Sequence, residues 1–175
     1  MAFVRPRGFT LLEVLIAVLV FSIGLLGLAG LMVMSVKTNH SAYLRTQATF
    51  LAQSMADRMR ANSMAIWTGD YDSAAYPLTL GTDACPIGTA CGYVNIASHD
   101  KRAFSDQLTD LLPKSSAVIA CTPTPGIVTP NLASDPPYNG LCSIQIKWNE
   151  SSVAVDRTAP GTGMDTQTFA WVFQP

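Results

Sequence analysis

From Val14 to Val36 the chain runs for 23 residues without a charged side chain or a proline. At about 1.5 Å of rise per residue, a helix of that length spans roughly 35 Å, enough to cross a hydrocarbon core of roughly 30 Å. The run is too long for the apolar region of a cleaved secretory signal, which is usually only about 7–15 residues. A single membrane-crossing helix is expected. Arg5 and Arg7 lie on its short N-terminal side, so the positive-inside tendency predicts a cytoplasmic N-terminus and an extracytoplasmic remainder. One charge interrupts the apolar stretch near its start, because Glu13 stands in "RPRGFTLLEV".

The rest of the chain differs in character. The 175 residues are 49% hydrophobic, but the apolar side chains crowd into Phe9 to Val36, and a polar sequence punctuated by Pro, Gly and Thr follows Asn62. One globular domain plus one membrane segment fits this length. With 13% charged residues and a net charge of −1, the chain lacks the basic footprint of a nucleic-acid binder. Lys101, Arg102, Lys147 and Arg157 are too few and too scattered to supply one. Cys85, Cys91, Cys121 and Cys142 all lie beyond the membrane run, as expected of disulfides in an oxidising compartment. Four cysteines allow three pairings. The favoured one joins Cys85 to Cys91 across the short loop "CPIGTAC", and Cys121 to Cys142 between two strands. No C-x-x-C pair is present, and His40 and His99 stand alone in sequence, so no metal or cofactor is expected.

Helical periodicity continues past the membrane run. Leu44, Ala48, Leu51, Met55 and Met59 recur every three or four residues, with Asp57 and Arg60 on other faces. One helix is expected from about Phe9 to about Asn62, roughly 80 Å long. "DYDSAAYPLTLGTDACPIGTACG" reads as a loop, and "DKRAFSDQLTDLLP" as a short helix stopped by Pro113. "SAVIAC", "CSIQIKW" and "QTFAWVF" alternate as strands, with Ile144, Ile146 and Trp148 on one face and Phe169, Trp171 and Phe173 on one face. The proline-rich "TPTPGIVTPNLASDPPYNG" between two of them is expected to be a loop. The fold class is α+β, a long N-terminal helix on a small antiparallel sheet.

The basic leader, Gly8, Phe9 and "TLLEVLIA" at the head of a long helix resemble the class III signal of type IV prepilins and type II secretion pseudopilins. The motif G-F-T-L-x-E is matched by Gly8, Phe9, Thr10, Leu11, Leu12 and Glu13. The resemblance implies that a prepilin peptidase cuts between Gly8 and Phe9 and methylates the new amine of Phe9. It implies the division 1–8 leader, 9–36 membrane and assembly helix, 37–62 amphipathic continuation and 63–175 extracytoplasmic globular domain. Glu13 then acquires a purpose. An isolated carboxylate costs several kcal/mol in hydrocarbon, and cleavage frees a positive amine at Phe9, four residues away. The resemblance implies pairing with the amine of a neighbouring subunit during assembly; pairing within its own chain meets the same electrostatics. Gly24, Gly27 and Gly30 make a soft spot in the helix, since glycine costs about 1 kcal/mol relative to alanine there. Local unwinding on assembly and close packing through small residues both remain open.

Major pilins usually end in a disulfide-bounded loop, whereas this chain places Cys121 and Cys142 around a proline-rich stretch and ends on "FAWVFQP". "GFTLLEVLIAVLVFSIGLLGLAGLM" followed by "RTQATFLAQSMADRMRAN" resembles minor pilins of the PilV type, with the I-type minor pseudopilin of type II secretion as the alternative. The resemblance implies priming of a type IV pilus at its tip, in support of twitching motility and adhesion. The protein is expected in the inner membrane before assembly and at the cell surface after it. The implied partners are other minor pilins, the major pilin, the prepilin peptidase, the inner-membrane platform protein and a tip adhesin. No enzyme motif is present: G-x-S-x-G, H-E-x-x-H and the P-loop are all missing. Asp70, Asp72, Asp100, Asp106 and Asp110 are expected on solvated faces or at helix caps, not as paired catalytic carboxylates.

Overall fold

The computed structural model describes residues 8–83, 85, 86, 88, 90–126, 137–151 and 164–175. The first helix, α1, is continuous over Leu11–Ala61, and the chain divides into two compact units at His40 and Ser41. Residues 1–7 of the expected leader, and Arg157, lie outside the described residues, as does 127–136 of the proline-rich stretch.

In the first unit α1 begins beyond Thr10. The Glu13 N–H donates to Thr10 Oγ1 at 3.3 Å and to the Thr10 carbonyl at 3.1 Å. Thr10 is therefore the N-cap that satisfies a first-turn donor, and Glu13 places a carboxylate where the helix dipole favours one. No Pro interrupts the helix, which runs unbroken through Gly24, Gly27 and Gly30.

The second unit is built on the later half of α1. Leu44, Ala48, Leu51, Ala52, Met55, Ala56 and Met59 are buried, a stripe at helical spacing. Ala48, Ala52 and Ala56 lie four apart, and their small side chains let other elements approach closely while Leu51, Met55 and Met59 fill the space beside them. A one-and-a-half-turn helix, α2 (Ser63–Trp67), follows, then β1 (Ser73–Tyr76), α3 (Tyr93–Leu111), β2 (Ser116–Pro123), β3 (Gly140–Ser151) and β4 (Met164–Phe173). The four strands form one antiparallel sheet in sequence order.

Register follows from alternation. Ile144 lies opposite Ile119 and Trp171, and Ile146 opposite Ala117 and Phe169. Cys142, Ile144, Ile146 and Trp148 are buried on one face of β3, while Leu141 and Lys147 are exposed. A one-residue slip would turn that whole row to water. α3 buries Ala97, Phe104 and Leu108 on one side, and Phe104 meets Tyr76 edge-on with centroids 5.3 Å apart.

Three elements depart from expectation. α3 begins at Tyr93 rather than near Asp100, because its first turns carry the surface-facing Tyr93, Val94 and Ile96, which break the amphipathic period. β1 occupies part of the stretch read as loop; only Tyr76 in it is buried, and its pairing with β2 holds it as a strand. α2 is too short to leave a periodic signal.

Candidate functional site: the N-terminal segment

Gly8 and Phe9 precede the helix in non-helical backbone, and both are exposed. Phe9 is 82% exposed, and among the described residues no atom lies within 4 Å of a Cβ built on Gly8. Glu13 is exposed in the first turn. Among the described residues no cation pairs with it. Because Thr10 is the cap, Phe9 lies outside the helical turn that holds Glu13, and the amine that processing would release does not exist in the uncut chain.

From Leu11 to Val36 every large apolar side chain is at least half exposed. Such a surface is unstable in water and natural in lipid. Two hydroxyls within and just past it are satisfied by the helix itself: Ser22 Oγ donates to the Val18 carbonyl at 2.7 Å, and Thr38 Oγ1 to the Met34 carbonyl at 3.0 Å. Such back-bonding lowers the cost of carrying a polar hydrogen into hydrocarbon. Added Cβ atoms at Gly24, Gly27 and Gly30 would meet nothing within 4 Å among the described residues, so none of these requires glycine there. The helix is long and apolar enough to cross a membrane.

The globular unit carries polar contacts that sequence reading did not find. Asp100, expected on a solvated face, is buried: Arg58 Nη1 donates to its Oδ1 at 3.0 Å and the Tyr71 hydroxyl to its Oδ2 at 2.8 Å. Asn62 Nδ2 donates to Tyr71 Oη at 3.2 Å and to the Tyr93 carbonyl at 2.9 Å. Burial, then the bond to Asp100, pushes the Tyr71 phenol far up, so it stays a donor. This network ties the end of α1, the loop between α2 and β1, and α3 together and has the character of a structural joint, since every member has a partner. Glu150 accepts from Ser41 Oγ at 2.8 Å and from Trp148 Nε1 at 2.7 Å, fixing the start of the packed half of α1 to β3.

Cys121 is bonded to Cys142, its register partner across β2 and β3, and Cys85 to Cys91. Asp83 Oδ1 accepts from the Cys85 N–H at 3.0 Å and its Oδ2 lies 2.9 Å from His99 Nδ1. The Cys85 bond, then His99, holds the Asp83 carboxyl below the usual carboxylate range. His99, solitary in sequence, thus connects α3 to the small disulfide loop. Among the described residues no three His, Cys, Asp or Glu side chains cluster in a way that could hold a metal ion.

Residues 5–29 match the family model described as the prokaryotic N-terminal methylation motif. That match, with the long helix packed on an antiparallel sheet, supports a type IV pilin-like protein, a pilin or pseudopilin that is structural in role. Such a signal implies membrane anchoring, partners in the assembly machinery, and later incorporation into a filament. No curated protein and no solved structure gives a significant match.

Proposed function

We propose that this chain is a minor pilin of the PilV type that primes assembly of a type IV pilus and sits at its tip. The observation that carries the reading is the methylation motif at residues 5–29 heading a helix whose first part is bare apolar surface and whose later part is packed into a domain. In this reading, residues 1–8 are removed between Gly8 and Phe9. The new Phe9 amine is methylated, and Glu13, which no cation pairs with among the described residues, pairs with the amine of an adjacent subunit. Both charges are thereby withdrawn from lipid. The residues around Gly24, Gly27 and Gly30 yield or pack closely as the helix enters the filament. The Cys121–Cys142 bond lies inside the sheet, between β2 and β3, and does not involve β4, which favours a minor over a major subunit.

The partners are sibling minor pilins, the major pilin, the prepilin peptidase, the platform protein and a tip adhesin, with the N-terminus cytoplasmic in the inner membrane before assembly. The test is deletion of the gene. A primer acts once per filament, so surface pili should fall severely while the major pilin stays abundant in the membrane, and blocking retraction should restore some pili. Loss of export of folded enzymes with twitching motility intact would overturn this assignment in favour of a type II secretion pseudopilin.

A further inference from the structure

A cleft of about 410 Å3 opens beside α2, bordered by Trp67, Gly69, Asp72, Cys121, Pro123 and Tyr138. Asp72 Oδ1 accepts from the Cys121 N–H at 3.0 Å, which continues the β1–β2 pairing past Ser73. Its Oδ2 makes no hydrogen bond among the described residues and faces Gly69, where an added Cβ would stand 3.8 Å away. Gly69 has φ +75°, a conformation that favours glycine. No basic side chain among the described residues pairs with the carboxylate. Although Asp72 reaches solvent, burial pushes its carboxyl above the usual range, and the Cys121 bond only partly offsets this. The wall is aromatic: Trp67 packs at 63° against the buried Tyr138, with centroids 4.8 Å apart.

We infer that this cleft is a recognition site for an alkylammonium group, with Asp72 as the counter-charge and the indole of Trp67 as the wall against which the cation rests. A carboxylate with one oxygen unengaged and no counter-ion among the described residues, in a cleft that an aromatic ring also lines, can lower its free energy by taking up a cation. One oxygen is already engaged, so a single acceptor remains. That suits the point charge of an ammonium better than a guanidinium fork, which seeks two. Tyr138 holds the indole in place. The site lies in the globular unit and is independent of the pilin reading, so its failure leaves that reading intact.

The test uses the full-length protein in non-ionic detergent micelles, titrated with Nα-acetyl-lysine methylamide, with choline, and with the neutral Nα-acetyl-norleucine methylamide. Nitrogen–proton spectra follow the Trp67 indole and Cys121 amide signals. Saturating shifts with the lysine derivative alone place the cation on a protein side chain, and saturation with choline as well extends the site to small ammonium ligands. Asp72→Asn keeps an oxygen for the Cys121 N–H while removing the charge, and should weaken the response roughly tenfold. Unchanged signals elsewhere in its spectrum establish that the variant is folded. Absence of saturation with both cations, an equal response to the norleucine derivative, or full retention in Asp72→Asn overturns the inference.

Discussion

Arg58 and Asp100, distant in sequence, meet at 3.0 Å and join α1 to α3 through one charged hydrogen bond. The two sides are unequally buried, with side-chain exposures of 32% for Arg58 and 8% for Asp100. In Asp100→Ala the guanidinium can turn to water at little cost, but the Tyr71 hydroxyl loses its acceptor inside the core. A loss of about 2–3 kcal/mol is expected in urea denaturation, and a smaller one for Asp100→Asn, which keeps an acceptor. Equal losses for the two variants would show that charge, not the hydrogen bond, dominates the joint.

Gly140 opens β3 at a point where a Cβ would collide with the Thr122 carbonyl and come within 2.8 Å of both Pro123 Cα and the Tyr138 ring. Two of these neighbours are backbone, so Gly140→Ala must shift the β2–β3 pairing. The expected cost is about 1–3 kcal/mol, read from thermal or denaturant unfolding. A variant as stable as the parent would mean that the strand ends separate freely.

The two disulfides close chains of different length, 21 residues apart for Cys121–Cys142 and 6 for Cys85–Cys91. The chain-entropy account makes the longer closure worth about 1 kcal/mol more. Replacing Cys121 and Cys142 together by Ala should therefore lower stability by about 2–5 kcal/mol, and more than the same replacement of Cys85 and Cys91. The reverse ranking would assign the small loop a packing role.

Asp72 gives a pH signature. Its folded carboxyl titrates above the ordinary 3.8, so the folded state holds the proton more tightly than the unfolded chain. The stabilisation is present below 3.8 and lost as pH rises through the folded value. At neutral pH the ionised group is thus a burden that Asp72→Asn removes. The variant should melt at the same temperature or higher at neutral pH, with its advantage shrinking in acid. A lower melting temperature at neutral pH would contradict the sign.

In the proposed reading Gly8 serves processing and Glu13 serves assembly. A bulky residue at position 8 should leave the leader attached, with membrane insertion intact, as read by the mass of the extracted protein. Glu13→Ala should be cut normally yet enter sheared pili poorly. Wild-type incorporation of Glu13→Ala would mean that the carboxylate only neutralises its own terminus.

Legibility in the sequence tracked the range of the interactions. The buried stripe of α1 was visible because Leu44, Leu51, Met55 and Met59 repeat at the helical period, and β3 because Ile144, Ile146 and Trp148 alternate. The four-residue β1 was hidden, since only a partner strand makes Ser73–Tyr76 a strand. Asp100 was misplaced on the surface because its partners arrive from 42 residues earlier and 29 residues earlier, a separation no local pattern encodes. The methylation motif stood out for the opposite reason: Gly8 to Glu13 is contiguous.

The order β1-β2-β3-β4 means that every strand lies beside its neighbour in the chain. During synthesis from the N-terminus, each strand after the first emerges to find its mate already made, and the packed half of α1 precedes them all. The longest closure, from Tyr76 to Ser116, is spanned in part by α3, and sequential pairing of this kind keeps contacts local, which favours rapid folding. A sheet wired in this way can grow by one rung at a time, and no strand must be held open for a segment that would have to thread back between two others.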